Sequence, residues 1–329
     1  MAYTAGDTIL DDEYNVFATG NAAGTGDTSA ASINTILGTG TGDAGYGQTN
    51  VVSAVAAGNT VTATQWTTLL ARLNAIRQHQ GTSINISSFS VASGDAIAVI
   101  ANLSTDINTL YTNRLTAASA NITESSTAHN YTSSWKVSVT ATSTVTFTGG
   151  DEARYFFNAG GYIKLNPSLS DSTGRNAQWA HLLDEVGDLK LLASTFTRSF
   201  SNNASGYGAG GDNSPTTHLS TTGYYDLTNS TDTSMFKYTI DDAFGYGNYR
   251  ANFYEVQINP GADHGDGLGN NGNQITIKQI FQDDHSNSQN TDVTGDISAP
   301  IIIGEPNQTH LAADVYGTIT VAEVSFTGS

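Results

Sequence analysis

The chain has 329 residues, with 12 Lys and Arg against 30 Asp and Glu, and a formal net charge of −18 at pH 7. Only 13% of its residues are charged, so the acidity reflects missing basic residues and the surface is largely neutral and polar. Such a chain lacks the Lys and Arg that displace counterions from nucleic acid or hold an anionic membrane, which excludes both as partners. The absence of cysteine excludes disulfides, thiolate metal sites and thiol nucleophiles.

With 38% hydrophobic residues there is enough apolar matter for a core, and the length fits two or three domains. The start, Met1 to Asp7, has neither the basic nor the apolar region of a secretory signal. No stretch approaches the roughly 20 apolar residues that span a bilayer.

Residues 1 to 59 are rich in Gly, Thr and Ala, with apolar islands at Ile9-Leu10, Val16-Phe17, Ile33, Ile36-Leu37 and Val51-Val52. This pattern predicts extended, turn-broken backbone held by packing on other parts of the molecule. Gly40 to Gly45 matches G-x-G-x-x-G, but Tyr46-Gly47-Gln48 follows instead of a helix, so no helix N-terminus would receive a pyrophosphate.

From Thr62 the texture changes. Thr62 and Gln65 have capping-box spacing, and Trp66, Leu69, Leu70, Leu73 and Ile76 follow at helical spacing up to Gly81. A second helix is predicted from about Asp95 to Leu115, with Ile100, Leu103, Ile107 and Leu110 at a/d spacing. Two readings stay open: two helices packed on each other in one subunit, or a short oligomeric bundle. On the second, Trp66, Leu69, Leu73, Ile76, Ile100, Leu103, Ile107 and Leu110 are the oligomerisation residues.

At Trp135 the period becomes 2, with Trp135, Val137, Val139, Val145 and Phe147 on one parity and Lys136, Ser138 and Thr residues on the other, which predicts a half-buried strand or two strands meeting at a bend. Tyr155-Phe156-Phe157, a glycine loop and Tyr162 to Leu165 read as a hairpin. A further helix is predicted from Asn176 to Val186. Strands are predicted at Phe236 to Ile240, Asn252 to Ile258, Ile275 to Phe281, Ile301 to Ile303 and Gly317 to Phe326.

Because helical patterns do not alternate with these strands, the expected fold is mainly β with an α-helical N-terminal part and an antiparallel β-sandwich or jelly-roll-like body. Thr-rich strands with little Lys leave sheet edges poorly defended, so neighbouring subunits are expected to cover some of them.

Little in the sequence points to catalysis. There is no G-x-x-x-x-G-K, H-E-x-x-H or G-x-S-x-G motif, and the seven histidines show no metal-ligand spacing. The adjacent acids, such as Asp11-Asp12-Glu13 and Asp151-Glu152, read as helix-end or turn residues and not as a glycosidase pair across a cleft. Calcium is the one candidate cofactor, because Asp263, Asp266, Asn270, Asn271 and Asn273 lie in a loop able to offer several oxygens, though without EF-hand spacing. Tyr207, Tyr224, Tyr225, Tyr246 and Tyr249 are candidates for surface contact, to another subunit or to a host glycan.

Three N-terminal segments look familiar together: Tyr3 to Ile9 with Glu13-Tyr14-Asn15, then Gly45-Tyr46-Gly47-Gln48, then Thr62 to Trp66 running into Arg77-Gln78-His79-Gln80-Gly81. With Ala153-Arg154-Tyr155-Phe156-Phe157-Asn158-Ala159-Gly160-Gly161-Tyr162-Ile163, the sequence resembles virion structural proteins of tailed bacteriophages, especially marine and cyanobacterial phages. The resemblance implies a non-enzymatic component of the tail, neck or fibre, located in the virion, with itself and other virion proteins as partners. It carries over no catalytic residue.

The expectation is therefore a structural protein that self-associates around a threefold or other rotational axis, as a trimer or another homo-oligomer. Residues 1–82 would attach it, 83–130 would form a helical connector and 131–329 a β-rich body. The rivals are a glycan-binding adhesin at a fibre tip, a subunit of an open filament or tube, and a glycan-degrading enzyme whose acids the fold brings together.

Overall fold

The computed structural model describes residues 11–27, 29–91, 100–171, 173, 176–200, 215–227, 232–239, 251–261, 272–284 and 292–329, without the side chains of Ile100 and Ala101. Six helices lie among them: α1 (Asp11–Thr19), α2 (Ile33–Leu37), α3 (Ala63–Gln80), α4 (Ile100–Thr112), α5 (Gly150–Asn158) and α6 (Asn176–Val186). The strands are β1 (Ile122–Thr127), β2 (Asn130–Tyr131), β3 (Ser138–Thr146), β4 (Tyr162–Leu165), β5 (Ser168–Leu169), β6 (Asp188–Leu191) and β7 (Phe196–Ser199). They continue as β8 (Thr217–His218), β9 (Thr233–Thr239), β10 (Phe253–Pro260), β11 (Gln274–Gln282), β12 (Ile297–Ser298), β13 (Ile301–Pro306) and β14 (Thr320–Gly328).

Helix α3 forms where its caps and apolar stripe predict. Thr62 Oγ1 accepts from the Gln65 N–H at 3.3 Å while Gln65 Oε1 accepts from the Thr62 N–H at 2.8 Å, and Gly81 ends the helix at φ +70°. Its stripe is fully buried, and Trp66 meets Tyr14 of α1 edge-on at 5.4 Å. The glycine-rich N-terminal segment is not wholly extended as expected. Asp11, Asp12 and Glu13 form the first turn of α1, where carboxylates favour the positive end of the helix dipole.

Residues 155–157, expected as the first strand of a hairpin, belong instead to α5. Asp151 and Glu152 sit in its first turn, and Phe156 and Phe157 are both buried, an arrangement one face of an exposed strand does not provide. Tertiary packing overrides the strand preference of the aromatic run. Strand β4 forms as predicted, but its partners are β13 and β6.

The strands make three antiparallel sheets in a sandwich-like body: β1-β13-β4-β6-β7, β14-β3-β11-β10-β9-β8 and the small β2-β12-β5. Strict alternation in β3, β10 and β11 sends one row of side chains inward. Helix α6 packs between, with Trp179 4.9 Å from Trp135 and 6.4 Å from Phe281. One hydrophobic cluster runs from Tyr14 through the helices to Tyr316, so the N-terminal helices and the β body share a core.

The two flanks of the sandwich differ. On one, His218 Nε2 lies 2.9 Å from the Phe196 carbonyl and the Phe196 N–H reaches Ser220 O at 3.4 Å, which ties β7 of one sheet to β8 of the other. On the opposite flank β1 and β14 are the outer strands. The chain just beyond β1 meets the other sheet: His129 bonds Ser143 of β3 at 2.8 Å, and Tyr131 of β2 lies with its ring 5.5 Å from that of Phe326 of β14.

Candidate functional site

The densest polar cluster lies where the glycine-rich segment 38–48 crosses α5. Arg154 and Asn158 are one helical turn apart on α5, so both side chains leave the same face. Arg154, 3% exposed, donates to the carbonyls of Thr39 at 2.6 Å, Ala44 at 2.9 Å and Gly42 at 3.4 Å. Asn158 donates to Gly42 and Gly45, both at 3.1 Å, and its Oδ1 lies 2.7 Å from the Tyr225 hydroxyl. These groups satisfy carbonyls that a turn-rich backbone cannot pair within itself.

A second layer fixes the same segment from the helices. Arg114 donates to the Asp43 carbonyl at 2.9 Å and pairs with the Asp43 carboxylate. Tyr46 donates to the Arg114 carbonyl at 2.7 Å and accepts from Gln80 at 2.9 Å, and burial pushes its pKa well up. His79, also buried, sits 2.9 Å from the Ala159 carbonyl, and desolvation drives its pKa down to about 4. Gln48 reaches the C-terminal part, accepting from the N–H groups of Ala312 and Ala313 at 2.9 and 3.0 Å.

Gly47 has φ +74°, and a Cβ there would stand 2.5 Å from the Tyr155 ring. Only glycine lets the segment lie this close to α5. Thus Gly45-Tyr46-Gly47-Gln48, His79-Gln80-Gly81 and Arg154 to Gly161, remote in sequence, form one packed unit.

Beside this unit is a cleft of about 390 Å³ lined by Thr41, Gly42, Asp43, Leu115, Ser194, Tyr225 and Asp226. Tyr225 is held there by its hydroxyl, 2.8 Å from the Gly42 carbonyl as well as 2.7 Å from Asn158. A second cleft of about 430 Å³ lies against the other side of the segment, between Thr19, Asp27, Asn34, Gly40 and Gln48. Its amides are committed to backbone: Asn34 donates to the Val52 carbonyl at 2.8 Å.

Trp66, Leu69, Leu73, Ile76, Leu103, Ile107 and Leu110, read as candidate oligomerisation residues, are all buried within the single chain. The Ile100 side chain lies outside the described residues. The first of the two open readings, two helices packed in one subunit, accounts for this burial. Of the tyrosines, Tyr224 is buried and stacks on Phe157 at 4.2 Å, Tyr225 lines the cleft, and Tyr207, Tyr246 and Tyr249 lie outside the described residues.

Asp263, Asp266, Asn270 and Asn271 also lie outside the described residues, while Asn273 turns its amide toward the Phe147 carbonyl at 3.3 Å. Among the described residues, no three His, Asp or Glu gather closely enough to hold a metal ion, and no helix is long and apolar enough to cross a membrane.

From the sequence, Arg154 is one of the few basic residues expected to make contacts within or between subunits, and it does so within the chain, but the pairing with Asn158 was missed because the segment reads as a hairpin with Asn158 in its loop. A signal was present: an Arg and an Asn four apart in an otherwise apolar run share one face of a helix, and in a core each needs several acceptors or donors. No protein-family model, no curated protein and no solved structure matches the chain.

Proposed function

We propose that this chain is a non-enzymatic structural protein of a tailed-phage virion, a self-associating component of the tail, neck or fibre. The observation that carries the reading is the meeting of the segments in which the sequence resembles such proteins. Gly45 to Gln48, His79 to Gly81 and Arg154 to Gly161 build one buried unit through Asn158, Gln80 and His79. Parts of three of the resembling segments therefore fall in one packing unit, Tyr14 and Trp66 of the others meet each other at 5.4 Å, and Tyr3 to Ile9 lie outside the described residues.

The unit's polar groups are directed at main-chain carbonyls, which is the work of fixing a fold. A surface neutral and polar outside it suits subunits packed side by side, since little charge must be desolvated at a contact. Negative-stain electron microscopy with light scattering on purified protein tests the reading. Rings, rods or discrete oligomers are expected, and a folded monomer at micromolar concentration refutes self-association.

The cleft beside Tyr225 favours a second reading, a glycan-binding adhesin at a fibre tip. An aromatic side chain flanked by Asp43, Asp226, Thr41 and Ser194 offers a sugar a stacking face and hydrogen-bond acceptors. A glycan array with no signal for the wild type removes this reading and leaves the first intact.

A further inference from the structure

The flank that carries β1 and β14 presents two outer strands, and only one of them is defended. Strand β14 has a register shift between Glu323 and Ser325, a bulge that bends its edge away from regular pairing. Strand β1, Ile-Thr-Glu-Ser-Ser-Thr, pairs with β13 in unbroken register and has no Lys, no Pro and no bulge. Four consecutive residues, Thr123 to Ser126, are exposed, so neither face of the strand is covered.

The ladder shows which backbone groups are free. The Asn307 N–H donates to the Asn121 carbonyl at 2.8 Å, one step beyond the Ile122–Pro306 pair, so the hydrogen-bonded pairs with β13 are at Thr123, Ser125 and Thr127. Glu124 and Ser126 therefore point both N–H and C=O outward. Ile122 points only its C=O, because its N–H is taken by the Ser119 carbonyl. None of the outward groups has a partner among the described residues.

Charge argues for the occupant. In a chain of net charge −18, the excess acidic charge of two copies opposes their association except where it is compensated. At β1 the one acid, Glu124, is neutralised within its own chain by Lys164 at 2.7 Å and bonded by the Tyr162 hydroxyl at 2.6 Å. A second copy meets no uncompensated charge there. It also brings an identical row of donors and acceptors, which a twofold axis aligns antiparallel.

We propose that β1 joins two copies of this chain edge to edge about a twofold axis, with Glu124 of each copy opposite Ser126 of the other. This register satisfies every free N–H of the edge, puts Ser125 opposite its own symmetry mate, and keeps the two Glu124 side chains out of direct opposition. The two five-stranded sheets then run on as one. The inference rests on the self-association proposed above and names its surface.

The test uses three variants of the full chain. Ser126→Pro removes an outward N–H, which an edge strand tolerates, and is expected to weaken the dimer at least about tenfold in sedimentation or light scattering with the fold retained by circular dichroism. Ser126→Glu places a like charge directly opposite Glu124 of the other copy and gives the same loss should the proline variant not fold. Ser125→Cys, the single thiol in the chain, is expected to form a disulfide-linked dimer on mild oxidation, because facing non-hydrogen-bonded pairs bring their Cβ atoms close.

A wild-type mass of twice 34.4 kDa with these three results supports the proposal. Assembly that survives both Ser126 variants, or a trimeric wild type, overturns the β1 contact and leaves self-association standing. A wild type that stays monomeric overturns both.

Discussion

Arg154 and Asn158 share an acceptor: the Gly42 carbonyl lies 3.4 Å from the Arg154 guanidinium and 3.1 Å from the Asn158 amide. The two side chains thereby hold a glycine-rich segment, more than a hundred positions away, against one face of α5. A segment with few apolar side chains cannot be anchored by burial alone. Its order depends on these carbonyls finding donors.

Arg154→Met should be strongly destabilising, because the carbonyls of Thr39, Gly42 and Ala44 lose a charged donor in a buried place. Hydrogen bonds to a charged group contribute about 1.5–3 kcal/mol each, so a loss of about 3 kcal/mol is expected in urea unfolding. Arg154→Met and Asn158→Ala should be non-additive, since both act on Gly42. Strict additivity in a double-mutant cycle would show that the two side chains do not act as one clamp.

Gly47→Ala and Gly58→Ala separate backbone strain from steric conflict. Both glycines have positive φ, +74° and +80°, but a Cβ at Gly47 stands 2.5 Å from the Tyr155 ring while at Gly58 nothing lies within 4 Å. Each alanine is disfavoured by about 1–2 kcal/mol for its left-handed backbone. Only Gly47→Ala adds overpacking, about 1–3 kcal/mol more. Equal urea midpoints for the two variants would mean that the segment moves away from α5 without cost.

Gln48 ties the N-terminal segment to the chain 264 positions later through the Ala312 N–H and also donates to the Ala313 carbonyl at 3.0 Å. Gln48→Ala removes the acceptor of two amides and the donor to the carbonyls of Ala313 and, at 3.4 Å, Tyr46. Neutral hydrogen bonds contribute about 1 kcal/mol each, so the Ala312 and Ala313 amides should exchange with deuterium about tenfold faster or more. Global unfolding should shift less than it does for Arg154→Met, and unchanged exchange at these two amides would locate the anchor elsewhere.

The elements that period and caps determine locally were legible in the sequence. Helix α3 has its box at Thr62 and Gln65, α6 its apolar face at Trp179, Leu182 and Leu183, and β10 and β11 their alternation. Helix α5 was not legible, because Tyr155-Phe156-Phe157 favours strands locally and becomes helical only through packing on Phe147, Tyr224 and Tyr316. The clamp was unreadable for a related reason. Its acceptors are backbone carbonyls of a turn segment, and which of them point at Arg154 depends on glycine conformations that no side-chain pattern records.

His79 should make stability fall in mild acid. Its Nε2 donates to the Ala159 carbonyl at 2.9 Å, since a carbonyl only accepts, and its buried Nδ1 has no partner among the described residues. The ring is therefore neutral in the fold, with its pKa lowered by desolvation from 6.5 to about 4. The unfolded chain binds a proton near pH 6.5 that the folded chain refuses until about pH 4. Stability is thus complete above pH 6.5, declines as pH falls through that window, and loses about 3 kcal/mol from this group by pH 4. His79→Gln keeps an N–H for Ala159 but does not titrate. Its urea unfolding between pH 7 and pH 4 should drop by about 3 kcal/mol less than the wild type's, with the contributions of carboxylates and of the buried His129 cancelling in the comparison. Parallel pH profiles for the two proteins would mean that His79 is protonated in the fold or reaches solvent.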